Sequence, residues 1–228
     1  MDLKACIFDL DGVIVDTAKY HFLSWQKLAT ELGVKFSEEN NKELKGVSRM
    51  GSLDYILELG SLSRSPEEKE VLANRKNAWY LEYISKMSTD EILEGSIVFL
   101  DELRENGIKI SLGSGSKNAK MILEKTDLLK KFDAIVDGTD TTRGKPDPEV
   151  FLKAADKLEV NSNEAIVFED AYKGVQAAKN GGFYAIGIGS ADELNNADAV
   201  YSSLKDIQLK VLSEKFAMHH LNENKSSS

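Results

Sequence analysis

The stretch Ala5-Cys6-Ile7-Phe8-Asp9-Leu10-Asp11-Gly12-Val13 decides the fold. A short apolar run that ends in acidic residues and a glycine reads as a buried strand opening into a turn, which in an α/β sheet is where ligands gather. Asp9 and Asp11 are thereby set at one sheet edge. Residues i and i+2 of a pleated strand share a face, so both carboxylates reach one cavity if the extended geometry persists to Asp11. Such a pair suits a metal ion and a transferable group. Read alone, it equally suits an acidic turn that closes a strand.

Working outward, the pattern turns helical: Phe22, Trp25, Ala29 and Leu32 recur at helical spacing, and Gly33 is placed to end that helix. Helical character continues through Leu53 to Leu59. It resumes at Ser65-Pro66, where serine is placed to cap, proline to open and Glu67 and Glu68 to complete a first turn. From Glu94-Gly95 onward, helices alternate with short apolar strands: Ile108 to Leu112, Phe132 to Val136, Ala165 to Phe168, Tyr184 to Ile186 and Ala199 to Tyr201. Strands separated by helical patterns predict a doubly wound parallel α/β sheet. The boundaries predict a catalytic core over 1–14 and 93–218, an inserted all-helical cap over 15–92, and a disordered tail over 219–228. His219 and His220 in that tail are read as uninvolved in function.

Composition narrows the function classes. The chain has 228 residues, enough for a large core, with 42% hydrophobic and 29% charged residues. Against 38 acidic residues stand 29 basic ones, a formal charge of −9. That balance speaks against nucleic acid or an anionic membrane as partner, since phosphate backbones demand a basic surface. A small anionic substrate remains open where basic residues concentrate. Cys6 is the only cysteine, so no internal disulfide forms and a packed thiol is expected. The start carries no basic-then-apolar leader and no segment approaches a membrane span, so a cytoplasmic monomer is the expectation.

Polar residues recur at the strand ends: Asp9 and Asp11, Ser114 and Ser116, Lys145, and Glu169-Asp170. Hard oxygen donors with room for water suit magnesium alongside a substrate phosphate, with Lys145 and Ser114 on phosphoryl oxygens. Carboxylates converging without a cation raise one another's pKa, and a divalent ion with Lys145 offsets this. The arrangement also suits carboxylate nucleophilic catalysis, with Asp9 attacking phosphorus and Asp11 carrying the proton. In the helical insert, Lys45-Gly46-Val47-Ser48-Arg49 and then Ser52 gather a lysine, hydroxyls and a guanidinium suited to phosphate. A solvated helix–loop junction explains the same residues. Ser116-Lys117-Asn118 opens a helix whose free N–H groups form a second anion site, or is an ordinary helix start.

The motifs Asp9-Leu10-Asp11-Gly12-Val13, Ser114, Lys145-Pro146 and Glu169-Asp170, in this order, resemble those of the haloacid dehalogenase superfamily of phosphotransferases. That resemblance implies Asp9 as nucleophile and Asp11 as general acid/base. It also implies magnesium held by Asp9, the backbone carbonyl of Asp11 and an acidic residue of Glu169-Asp170. Thr17, His21, the Lys45 to Arg49 loop, Ser52, Arg75-Lys76-Asn77 and Ser116-Lys117-Asn118 further resemble the sugar-phosphate mutases of that superfamily. By this resemblance His21 contacts Asp11 or the substrate, and Lys76 contacts the substrate. The implied activity interconverts β-D-glucose 1-phosphate and glucose 6-phosphate through β-glucose 1,6-bisphosphate, the phosphoryl-donating intermediate. A magnesium-dependent sugar-phosphate phosphatase and a non-catalytic sugar-phosphate sensor are the alternatives. Glycine at 113 and 115 departs from the resemblance and implies a looser Ser114 loop, and Arg143 adds a charge near the site.

Overall fold

The apolar run that opens the chain is strand β1 (Ala5–Phe8), every residue of it buried. In the computed structural model, which describes residues 2–226 and side chains to Leu221, five more strands join it. They are β2 (Lys109–Gly113), β3 (Ala134–Val136), β4 (Ala165–Glu169), β5 (Tyr184–Ile188) and β6 (Ala199–Tyr201). All pairings are parallel, in the order β3-β2-β1-β4-β5-β6. The expected doubly wound sheet is therefore present. Its strand order reverses between β1 and β4, the place where such sheets bind ligands at their carboxyl ends.

The helices are α1 (Ala18–Glu31), α2 (Glu38–Lys42), α3 (Arg49–Leu59), α4 (Pro66–Ile84), α5 (Ser96–Glu105), α6 (Ala119–Lys125), α7 (Glu149–Leu158), α8 (Tyr172–Asn180) and α9 (Leu209–Ser226). Alternation along β1 explains how they cover the sheet: Cys6 and Phe8 face one cluster with α5, α6 and α9, while Ala5 and Ile7 face another with α7 and α8. The Phe8 and Phe168 rings stack at 4.6 Å across neighbouring strands, and Phe99 of α5 packs edge-on against both. No helix among the described residues is long and apolar enough to cross a membrane.

Helices α1 to α4 form a block with its own hydrophobic cluster, including Trp25, Leu28, Phe36, Leu53, Ile56 and Leu72. The Ser65 side chain caps α4 by accepting from the Glu68 N–H, and the Glu68 carboxylate returns a bond to Ser65 N–H, with Pro66 in the first turn. The chain leaves the sheet at Val15 and returns at Ile92, and these two residues form an isolated antiparallel bridge. Helix α4 belongs to both halves. Leu72 and Ala73 lie in the block's cluster, whereas Tyr80 and Ile84 lie in the sheet's.

Two expectations need correction. The tail is not disordered from 219, because α9 runs on to Ser226. Aromatic packing carries it: His219 meets the Tyr184 ring at 4.9 Å, and a buried His220 meets Phe216 at 4.7 Å. The last two positions of that segment, 227–228, lie outside the described residues. Nor is position 113 loose. A methyl there would sit 2.8 Å from the Phe151 ring, and the Ser114 N–H donates to the Val136 carbonyl at 3.0 Å.

Candidate active site

Asp9 follows β1 and is 7% exposed, its N–H donating to the Phe168 carbonyl of β4 at 2.9 Å. Lys145 comes in from the loop before α7 and donates to Asp9 Oδ1 at 2.6 Å and to Glu169 Oε1 at 2.5 Å. Burial works to lower the Lys145 pKa, but the two carboxylates outweigh it and hold the ammonium well above its ordinary value. Ser114, buried at the end of β2, accepts from the Ser116 N–H at 3.1 Å. Asp170 completes the cluster: one carboxylate oxygen each of Asp9, Glu169 and Asp170 lies within 4.8 Å of the others.

That trio fits a divalent cation. Burial pushes Glu169 above the carboxylate range, and burial with Asp9 and Asp11 nearby takes Asp170 up to about 6 although Lys45 pulls it down. Such mutual repulsion is what a hard cation relieves. The donors are unequal, however. Glu169 spends Oε1 on Lys145 and Oε2 on the Ala171 N–H at 2.9 Å, whereas among the described residues Asp9 Oδ2 carries no such bond.

Asp11 departs from the expectation that both aspartates face one cavity. Strand geometry stops at Phe8, and the chain turns back through bonds from Ile14 N–H and Val15 N–H to the Leu10 carbonyl. The Asp11 carboxylate is thereby carried to the Thr17 hydroxyl, which donates to it, and stands outside the Asp9, Glu169 and Asp170 cluster. Burial and then Asp9 raise its pKa to about 6 against the opposing pull of Thr17, Lys145 and Lys76.

The helical block contributes the opposite charge. His21 on α1 meets buried Lys76 on α4 at 3.1 Å, and the Lys76 ammonium lies over the rings of Trp25 at 4.6 Å and Tyr80 at 4.7 Å. Burial, then Arg49, lowers Lys76 to about 7, and burial with Lys76 and Arg49 drives His21 well below its ordinary value. Among the described residues neither Arg49 nor Lys76 forms an ion pair.

The Lys45 to Ser48 loop packs Gly46 against Ala171, and the Val47 N–H donates to the Leu44 carbonyl. Ser48 then caps α3 by accepting from the Gly51 N–H at 3.1 Å, which puts Arg49 in the first turn and Ser52 in a buried position one turn on. Lys45 reaches across to Asp170 at 3.3 Å. On the far side of the cleft, Asn118 donates to Asn77 of α4 at 3.3 Å.

Lys117 is exposed beside Asn118, but the expected anion site there is partly used up. The Asn118 N–H donates to Ser116 Oγ at 3.2 Å, the Ser116 N–H is taken by Ser114, and α6 starts only at Ala119. Arg143 is held off the centre, paired with Asp147 at 3.1 Å, and Arg75 with Glu31 at 3.1 Å.

The family model of haloacid dehalogenase-like hydrolases matches residues 3–182. This chain belongs to that family. It is 40% identical over 224 residues to the β-phosphoglucomutase of Bacillus subtilis strain 168, covering 97% of this chain and 99% of that protein. A crystal structure of β-phosphoglucomutase from Clostridium difficile shares its fold with a TM-score of 0.92 at 39% identity, over 96% of this chain and 99% of that one. A phosphorylated carbohydrates phosphatase of Thermotoga maritima is 31% identical over 203 residues, 87% of this chain and 90% of that protein.

In this haloacid dehalogenase-like enzyme, two glycines matter more than the sequence alone suggests. A Cβ at Gly12, where φ is +80°, would stand 2.2 Å from Asp170 Oδ2, and one at Gly174 would stand 1.9 Å from the Glu169 carboxylate. Both positions make room for a carboxylate. For Gly174 the available signal was a glycine in the first turn of a helix directly after Glu169-Asp170. Glu149 was missed as well. Its buried carboxylate accepts the N–H groups of Thr142 and Arg143 at 3.1 and 2.8 Å and so fixes the loop that carries Lys145.

Proposed function

We propose that the enzyme interconverts β-D-glucose 1-phosphate and glucose 6-phosphate through β-glucose 1,6-bisphosphate. One observation carries the reading: the cleft has two charge systems, a carboxylate and Lys145 centre at the strand ends, and Arg49 with Lys76 in the helical block, neither in an ion pair among the described residues. A bisphosphate needs a reacting end and a held end. A monophosphate needs only the first. The near full-length similarity to β-phosphoglucomutases supports the same reading.

In this reading Asp9 is the nucleophile, and Oδ2 is its attacking atom because Oδ1 is held by Lys145. The Lys145 ammonium and Ser114 steady the phosphoryl oxygens, and Glu169 fixes Lys145 from behind. Asp9 and Asp170, with the backbone carbonyl of Asp11 and with Glu169 one layer back, would hold magnesium, which when bound neutralises charge on the transferring group. Asp11 must leave Thr17 to give or take the proton on the sugar oxygen, and a value of about 6 suits both directions. Arg49, with Ser116, Lys117 and Asn118, grips the distant phosphate, while Lys76 and His21 meet the sugar. The block of 15–92 acts as the cap: contacts such as Lys45 to Asp170 and Asn118 to Asn77 close the cleft and keep water from the aspartyl phosphate.

The test is a coupled assay of glucose 6-phosphate formation from β-glucose 1-phosphate, with magnesium and a trace of the bisphosphate. The α anomer and an Asp9→Asn control run in parallel. Turnover confined to the β anomer and absent from the control is expected; no product above the control overturns the mutase. The Thermotoga maritima relative favours one second reading, a sugar-phosphate phosphatase. Inorganic phosphate released at the rate of substrate loss would establish it instead.

A further inference from the structure

The Tyr80 ring is fixed on every side: it is 1% exposed, lies in the sheet's cluster, stacks on His21 at 4.2 Å and carries the Lys76 ammonium at 4.7 Å. Its hydroxyl is not satisfied. Among the described residues the Tyr80 oxygen has no hydrogen-bond partner. Burial and then Asp11 hold its pKa well above the ordinary value while Thr17 draws it down, which sets both groups beside it. A buried hydroxyl without a partner destabilises a fold, and phenylalanine would fill the same space without that cost.

The vacancy matches a need elsewhere in the cleft. Thr17 spends its hydroxyl proton on Asp11, and Asp11 has to abandon that bond when it turns to the substrate oxygen. The Thr17 hydroxyl is fully buried, so without a replacement acceptor it would be stranded.

We propose that Tyr80 is a positioning residue: its oxygen accepts the Thr17 hydroxyl when Asp11 swings to the substrate. The hydrogen bond is exchanged rather than lost, and Asp11 is free to move. This rests on the reading of Asp11 as general acid/base, but not on the mutase. It applies to any transfer that needs a proton delivered to a poor leaving group.

The experiment is a double-mutant cycle with Tyr80→Phe, Thr17→Val and both together, read as kcat and KM on β-glucose 1-phosphate isomerisation and on hexose phosphate hydrolysis. Tyr80→Phe is expected to lower kcat about threefold to tenfold, with KM unchanged and Tm no lower. In the Thr17→Val background the same change should have no further effect on kcat. Unchanged kcat in Tyr80→Phe overturns the proposal. So does an equal loss in both backgrounds, since Tyr80 would then act through its ring on His21 and Lys76. If the wild type only hydrolyses, the mutase reading fails, and the cycle is still decided on hydrolysis.

Discussion

At the strand ends Lys145 lies between Asp9 and Glu169 at 2.6 and 2.5 Å, whereas in the helical block Lys76 and Arg49 crowd together with no carboxylate in ion-pair reach among the described residues. Burial is similar in the two places, for Lys145 and Lys76 alike. The outcome is opposite: one lysine is held charged and the other is brought to about 7. A buried cation with its own counterions is structural as well as chemical, and it fixes Asp9 before any ligand arrives. A buried cation without them costs stability until an anion enters.

Removing the proposed nucleophile tests the first region most severely. Asp9→Asn should lose turnover by on the order of 10⁴-fold or more and show no phosphoryl mass increment with a small phosphoryl donor. Residual labelling elsewhere in the chain would break the assignment of Asp9.

The unpaired lysine is tested by pH. Lys76 lies at about 7 in the folded protein against an ordinary 10.5, so between these values the unfolded chain binds more protons and stability rises with pH. The penalty is complete below pH 7 and gone above about pH 10.5, a span of order 5 kcal/mol. Lys76→Met should flatten this rise in a Tm series from pH 7 to 10. Parallel curves for wild type and variant would erase the contrast between the two lysines.

Gly174→Ala probes how tightly the carboxylate centre is set. Helix propensity favours alanine there, yet the new Cβ must displace the buried Glu169 carboxylate, and turnover should fall about a hundredfold with a lowered Tm. Full activity would show that Glu169 tolerates movement.

If the proposed held phosphate sits on Arg49, Arg49→Ala should cost mutase turnover about tenfold to a hundredfold while Asp9 phosphorylation by a small donor survives. Equal loss of both activities would mean that the block serves the reacting end as well.

The two regions were also unequally legible in the sequence. The strand ends declared themselves, since the runs ending at Phe8, Val136 and Phe168 break at an acidic residue, and the caps of the block were readable in Ser65-Pro66 with Glu68. Asp11 was misplaced because strand geometry ends before it and the turn closing on Leu10 sends its side chain to Thr17. Tyr80 was out of reach for another reason. Helical spacing says which face is apolar, but which end of α4 docks on the sheet is decided only by packing across the two clusters. The tail was misread likewise, its polar residues masking rings that pack on Tyr184 and Phe216.

The way α4 straddles the two clusters makes it a lever anchored at one end. At 1.5 Å per residue, the helix from Ile84 back to Pro66 is about 28 Å long, and a tilt of about 10° about its anchored end carries Pro66 through about 5 Å. Lys76, lying much nearer the fulcrum, moves only about 2 Å in the same tilt. The far end of the block would thus travel more than twice as far as Lys76, whose own displacement would be no more than the making or breaking of single hydrogen bonds.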